Sequence, residues 1–197
     1  METFISICVG IGLSAACGFR VFAPLLIMSV ASHAGHLTLS PGFEWIGTSP
    51  ALAAFAIATA LEIAAYYVPW IDNLLDTVAT PAAILAGIIV TASAVSGLSP
   101  FLQWTLAVIA GGGVAGMVQM ATSVTRGVST VTTAGFGNPL LATAEAGGAI
   151  VLSLLAIVVP VIAGIAVLLV LYWGVKKVSG RARKHSPHPR AGEEPAS

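Results

Sequence analysis

Charge is scarce in this chain of 197 residues: Asp, Glu, Lys and Arg make up 8% of it, where a soluble domain carries about a quarter. With 57% hydrophobic residues and a mean hydropathy of +0.96, it has too few polar groups to wet a globule of its size. That excludes an ordinary soluble domain, a nucleic-acid-binding protein and a disordered chain, and it predicts a multi-pass membrane protein. Bases are almost missing outside the C-terminal tail. Lys176, Lys177, Arg181, Arg183, Lys184 and Arg190 lie there, and only Arg20 and Arg126 sit in apolar context. Cysteine is limited to Cys8 and Cys17 in one apolar segment. Their spacing is no metal motif and is too long for a disulfide within one helix, so both read as small packing residues. Enzyme signatures are missing too: there is no HExxH, GxSxG, P-loop or CxxC, and the Gly run at 111–113 lies mid-span. No enzymatic activity, cofactor or metal is therefore expected. His33 and His36 suit interfacial packing better than a metal site of two ligands.

A helix needs about 20 apolar residues to cross the hydrocarbon core. Taken as one helix, residues 3–34 would run about 48 Å at about 1.5 Å per residue, too long for a single span. Gly18, Phe19 and Arg20 with Pro24 interrupt that run, so a broken or re-entrant segment is expected near 18–34. Residues 35–50 read as a loop whose Phe43 and Trp45 suit a membrane interface. Residues 51–70 form a span with Glu62 as its only charge, closed by Tyr66, Tyr67 and Trp70 as an aromatic belt. Residues 71–80 read as a connecting loop carrying Asp72 and Asp76. Residues 77–125 contain one charge-free stretch, which Ser96–Pro100 divides into helices over about 78–97 and about 101–125. Residues 122–138 are rich in hydroxyls and glycine around Arg126, which predicts a second broken or re-entrant segment near 126–140. Residues 146–175 carry no charge, with Pro160 as a kink and Tyr172 and Trp173 as an interfacial ending before Lys176. Gly10, Ser14 and Gly18, and Gly112 with Gly116, form small-residue stripes that let helix backbones approach closely.

The fold expected is all-α: a polytopic transmembrane helix bundle of five or six spans. Residues 1–177 form the membrane domain and 178–197 a basic, disordered tail. Basic residues beside a span stay on the cytoplasmic side, which puts the C-terminus in the cytoplasm; the tail can also touch anionic headgroups. The start METFISICVG has no basic region or clean cleavage site, so the first segment is expected to remain as a helix. The acids at 71–80 favour an outside N-terminus. GFRVFAPLL (18–26) and GFGNPLL (135–141) echo one another, which fits either chance or the duplicated broken-helix design of transporters.

Four places resemble a known family: SAACGFRVFAPLL (14–26), Glu62 followed by Pro69, Asp72 and Asp76, Arg126 in its Ser/Thr-rich stretch, and GNPLLATAE (137–145) ending in Glu145. On these the chain resembles the bacterial integral membrane family catalogued as domain of unknown function 4126. The resemblance implies a protein of the bacterial inner membrane and no established activity. The family often has an acid–Lys pair where this chain has Tyr66 and Tyr67, and a base where it has Thr80. Those differences count against a mechanism built on the charges that are missing here.

A charge within a span is costly, by roughly 2.5–3.5 kcal/mol on insertion scales, and marks either function or a static pair. Glu62 reads as a protonatable carboxylate able to carry a proton or hold a cation, or as an ion-pair partner of Arg20 or Arg126. Arg20 and Arg126 both stand beside Gly at apparent helix breaks. Guanidinium, free backbone N–H groups and the hydroxyls of Ser123, Thr125, Ser129 and Thr130 would make an anion site; alternatively Arg126 pairs with Glu145. Asp72 reads as a turn acid. Asp76 reads as either a helix-start acid or, with Asp72, a cation-collecting pair. Asn138 before Pro139 reads as a helix cap, and Glu145 faces a cavity from the helix that follows.

Two functions follow. The first is a small transporter or channel, possible proton coupling included, for an ion, a phosphate-bearing solute or a lipid headgroup. Its path would be lined by Arg20, Glu62, Asp76, Arg126, Ser129, Thr130, Asn138 and Glu145. The second is a structural or assembly factor whose buried charges pair statically. Membrane lipids are the expected partners, a homo-oligomer is compatible with the stripes, and nucleic acid is not a partner.

Overall fold

A computed structural model describes residues 1–67 and 69–184, with side chains over 1–67 and 78–177. Among the described residues there are seven helices and no strand. They are α1 (Glu2–Cys17), α2 (Phe22–His33), α3 (Ser49–Ala65), α4 (Pro69–Ala94), α5 (Pro100–Thr133), α6 (Asn138–Val158) and α7 (Pro160–Lys184). A short 3-10 turn, Glu44–Gly47, precedes α3. By length and composition α5, α6 and the Pro160–Lys177 part of α7 can each cross a membrane; α1, α2, α3 and Val78–Ala94 are shorter apolar helices. The all-α bundle of a membrane protein is thus the fold, as the composition predicts.

α1 is the axis of the bundle. Every residue from Cys8 to Cys17 is buried, as expected of a helix that is apolar all round, and α4, α5, α6 and α7 pack against it. The small-residue stripe makes this possible. Gly10 lies against Thr91 of α4, whose Oγ1 donates to the Gly10 carbonyl at 3.2 Å. One turn on, the Ser14 hydroxyl donates to the Gly111 carbonyl of α5. Gly18 meets α5 again: a Cβ there would lie 2.5 Å from Val118 Cβ and 2.7 Å from the Ala115 carbonyl oxygen. Where it crosses α1 and α4, α5 widens into a π-helical turn, Ala107–Gly112, the kind of local insertion often found at packed or functional crossings. Near its start, Gln103 Nε2 donates to the Ala92 carbonyl (2.6 Å) and to Ser40 Oγ (2.7 Å), tying the end of α4 to the α2–α3 loop.

Several expectations are corrected or sharpened. Residues 71–80 are not a loop: Pro69, well suited to a first helical position, opens α4, which runs on through Pro81. The topology argument from an acidic loop therefore loses its basis, and the side chains of Asp72 and Asp76 lie outside the described residues. The break expected near 126–140 is present, as a tight turn. α5 stays helical to Thr133, and the chain reverses over 134–137 with φ of +52° at Ala134 and +86° at Gly135. Arg126 therefore sits inside a helix, not at a break. Pro160 does more than kink: α6 and α7 fold back on one another at Val159–Pro160, so that Leu141, Ala144 and Glu145 of α6 face residues 170–175 of α7. α7 continues to Lys184, into the stretch expected to be tail, and residues 185–197 lie outside the described residues.

The two classes of glycine give a test. Gly18→Ala adds a Cβ into Val118 and the Ala115 carbonyl and is expected to destabilise by about 1–3 kcal/mol, the usual cost of overpacking. Gly113→Ala meets nothing within 4 Å and is expected to be neutral or to stabilise by up to about 1 kcal/mol through helix propensity. Thermal unfolding of the detergent-solubilised chain reads both; equal stability of the two variants would show that the Gly18 contact is not tight.

Candidate functional site

α1 ends at Cys17, and at Gly18 α5 passes too close for a side chain. The joint that follows, residues 18–21, carries Arg20 into the bundle, where it is 2% exposed. Its Nη2 donates to the Ala142 carbonyl of α6 at 2.8 Å and lies 3.4 Å from Glu145 Oε2. Its Nε and Nη1 are buried with no hydrogen-bond partner among the described residues. From α5, Arg126 reaches the same carboxylate as a fork: Nε donates to Oε1 at 3.0 Å and Nη2 to Oε2. Glu145 thus serves two guanidiniums.

Tyr66, at the end of α3, supplies the surface on which they meet. Arg20 Cζ stands 3.8 Å from its ring centroid and Arg126 Cζ 4.2 Å. The ring's negative face attracts both cations and holds two like charges close to one carboxylate. Beside it, the Tyr67 hydroxyl hydrogen-bonds Thr143 Oγ1 at 2.8 Å and fastens α3 to α6.

Glu62 has a different task. Its carboxylate accepts from the backbone N–H groups of Val21 (2.8 Å) and Phe22 (3.0 Å), capping α2 from a neighbouring helix. α2 has no side-chain cap of its own, and Pro24 in its first turn has no N–H to satisfy. A helix start carries roughly half a positive charge, so the carboxylate is stabilised there. Among the described residues the cluster sets two arginines beside two glutamates, the compensation of charge a low-dielectric setting favours. With Glu62 committed to α2, however, the two guanidiniums share Glu145.

The structure therefore gathers Arg20, Glu62, Arg126 and Glu145, which the sequence singled out separately. Ser129, Thr130 and Asn138 stand apart, at the α5–α6 turn. Asn138 does not cap α6: Gly137 holds that position, and Asn138 Nδ2 donates to Thr130 Oγ1 at 3.1 Å. The expected anion site of free N–H groups and hydroxyls around Arg126 is absent among the described residues. The backbone there is helical, Thr125 donates to the Ala121 carbonyl, and Thr133 to that of Ser129 (2.8 Å each). Asp76 lies outside the described side chains. His33 Nδ1 hydrogen-bonds the Gly47 carbonyl at 2.9 Å, an interfacial packing role. Tyr66 was missed, because an aromatic residue at a span end reads as interfacial belt; the signal available was that it replaces a charged position of the family pattern.

Breaking the shared carboxylate tests this arrangement. Arg126→Gln is expected to lower stability by about 3 kcal/mol, and Glu145→Gln by more because it strips both guanidiniums. The double variant should lose clearly less than the sum, a coupling read by a double-mutant cycle in thermal or denaturant unfolding. Additive losses would mean that the fork contributes no specific pairing.

No curated protein and no solved structure shows significant similarity to this chain. A family model does match it, over residues 7–178, from α1 into α7 and across all four charges of the cluster. The chain belongs to the family described as Domain of unknown function (DUF4126).

Proposed function

We propose that this is a small transporter or channel of the bacterial inner membrane whose substrate is an anionic, phosphate-bearing group held by Arg20 and Arg126. The observation that carries the reading is Arg20: a buried guanidinium with two N–H-bearing nitrogens left without partners among the described residues. Buried polar groups that serve only packing are almost always satisfied, and donors left open are what a site needs for an arriving acceptor. An anion exchanges with the Glu145 carboxylate on the two arginines. The released carboxylate would be an uncompensated charge in an apolar wall, which a proton neutralises. Anion binding and proton uptake are thereby coupled, with no catalytic step and no cofactor. The basic end of α7 supports a cytoplasmic C-terminus, and the cluster lies toward that end, opposite Val170, Leu171, Gly174 and Val175.

A second reading, a static scaffold, is favoured by a different observation: the Arg126–Glu145 fork and the Glu62 cap are what charge compensation alone would build.

Flux in proteoliposomes separates them. Under an imposed gradient of inorganic phosphate or of short-chain phosphatidic acid, with internal pH and anion followed together, wild type is expected to pass at least one of the two with a linked pH change. Arg20→Gln should reduce the rate about tenfold or more, the equivalent of one charge-assisted hydrogen bond, while staying folded. Correctly inserted wild type with no flux of any tested anion supports the scaffold.

A further inference from the structure

The bundle is not closed around the charged cluster. α5 and α7 barely meet, and between them runs a groove of about 920 Å³. Met120 and Val124 of α5 form one wall, Val170 and Gly174 of α7 the other, and Leu141 and Glu145 of α6 stand at the back. Glu145 is its one ionisable lining residue among those described. Met120, Val124 and Val170 are strongly exposed, and all three belong to helices long and apolar enough to span, so the groove opens sideways toward lipid. At its α7 end, Val175 is followed directly by exposed Lys176 and Lys177.

This layout does not suit a free ion, which gains nothing from apolar walls. Its volume falls in the range of about 300–1,000 Å³ typical of small-molecule sites, and its character changes along its length: hydrocarbon at the opening, the shared carboxylate with two arginines behind it, and lysines at the rim. An amphiphile with an anionic head matches each part. Displacing Glu145 would let an incoming group take its place on Arg126 Nε and Nη2, beside the open Arg20 Nε and Nη1. That is a wide spread of donors, suited to the three acceptor oxygens of a phosphate.

We infer that the substrate is a phosphate-bearing lipid that enters from the membrane between α5 and α7. Its chain lies along the groove and its phosphate takes the place of the Glu145 carboxylate on Arg20 and Arg126. This rests on the anion reading above and narrows it to a class of substrate and a route.

The test uses the full chain in detergent micelles and follows thermal unfolding against three probes: dioctanoyl phosphatidic acid, dioctanoylglycerol as tail without head, and inorganic phosphate as head without tail. Phosphatidic acid is expected to raise the unfolding temperature in a saturable way; the other two should not at equal concentration. Arg20→Gln should remove the effect. Ala144→Trp fills the groove from its back and Gly174→Trp from the α7 wall; Ala144 is exposed there, and a Cβ at Gly174 meets nothing within 4 Å, so both variants are expected to fold. Each should weaken phosphatidic acid about tenfold or more, equivalent to losing contact with about two methylenes. If dioctanoylglycerol stabilises as well as phosphatidic acid, the head is not recognised and the inference is overturned. If inorganic phosphate stabilises as well and the Trp variants change nothing, the site is fed from water: the lipid route falls and the anion reading stands. If no probe binds and proteoliposome flux is also absent, both fall.

Discussion

The carboxylate of Glu145 is the point on which the polar part of this bundle depends. It forks onto Arg126 and lies 3.4 Å from Arg20, while both guanidiniums stack on the one ring of Tyr66. Without it, Arg20 and Arg126, both set against the Tyr66 ring, would lose the carboxylate they share. Taking one partner from a buried ion pair costs several kcal/mol. The joint after α1, the middle of α5 and the first turns of α6 are therefore tied together through this carboxylate, with the end of α3 joined to them by Tyr66 and Tyr67.

A second constraint, close packing, delivers those charges to the same place. α1 can be surrounded because Gly10, Ser14 and Gly18 present no bulk to α4 and α5. The last of these crossings lies where the helix ends, two residues before the buried Arg20. Glu62 then secures the start of α2 by accepting its first free N–H groups. Packing and electrostatics thus meet within residues 18–22. On the far side, α5 and α7 leave broad apolar surface uncovered, which in a membrane faces hydrocarbon and needs no protein partner.

Much of this was legible in the residues. Arg20, Glu62, Arg126 and Glu145 stand out because charge is so rare, and their cost in an apolar span makes each a marker whatever its role. The small-residue stripes announced the close crossings. Other features misled for physical reasons. The hydroxyls of residues 122–133 look like a disrupted segment, yet several donate to carbonyls one turn back in their own helix, so the backbone stays regular. Pro69 with nearby acids reads as a turn although the same residues suit a helix start. Pro160 suggests a kink, and only the packing of both arms on α1 makes it a reversal. Tyr66 carries no sequence mark of burial, since tyrosine suits an interface and a cation–π site equally well.

By composition alone, the chain determined its solvent, its class and its few expensive residues: 8% charge and a mean hydropathy of +0.96 leave no other medium for it. Those quantities are sums along the chain, and sums need no geometry. Which charge meets which was decided by the tertiary structure. Arg20 finds the Ala142 carbonyl 122 residues away, Glu62 caps a helix other than its own, and Tyr66 lies under two arginines from different elements. Such pairings depend on where helices cross, and crossings are set by the fit of whole faces, which no local stretch of sequence contains.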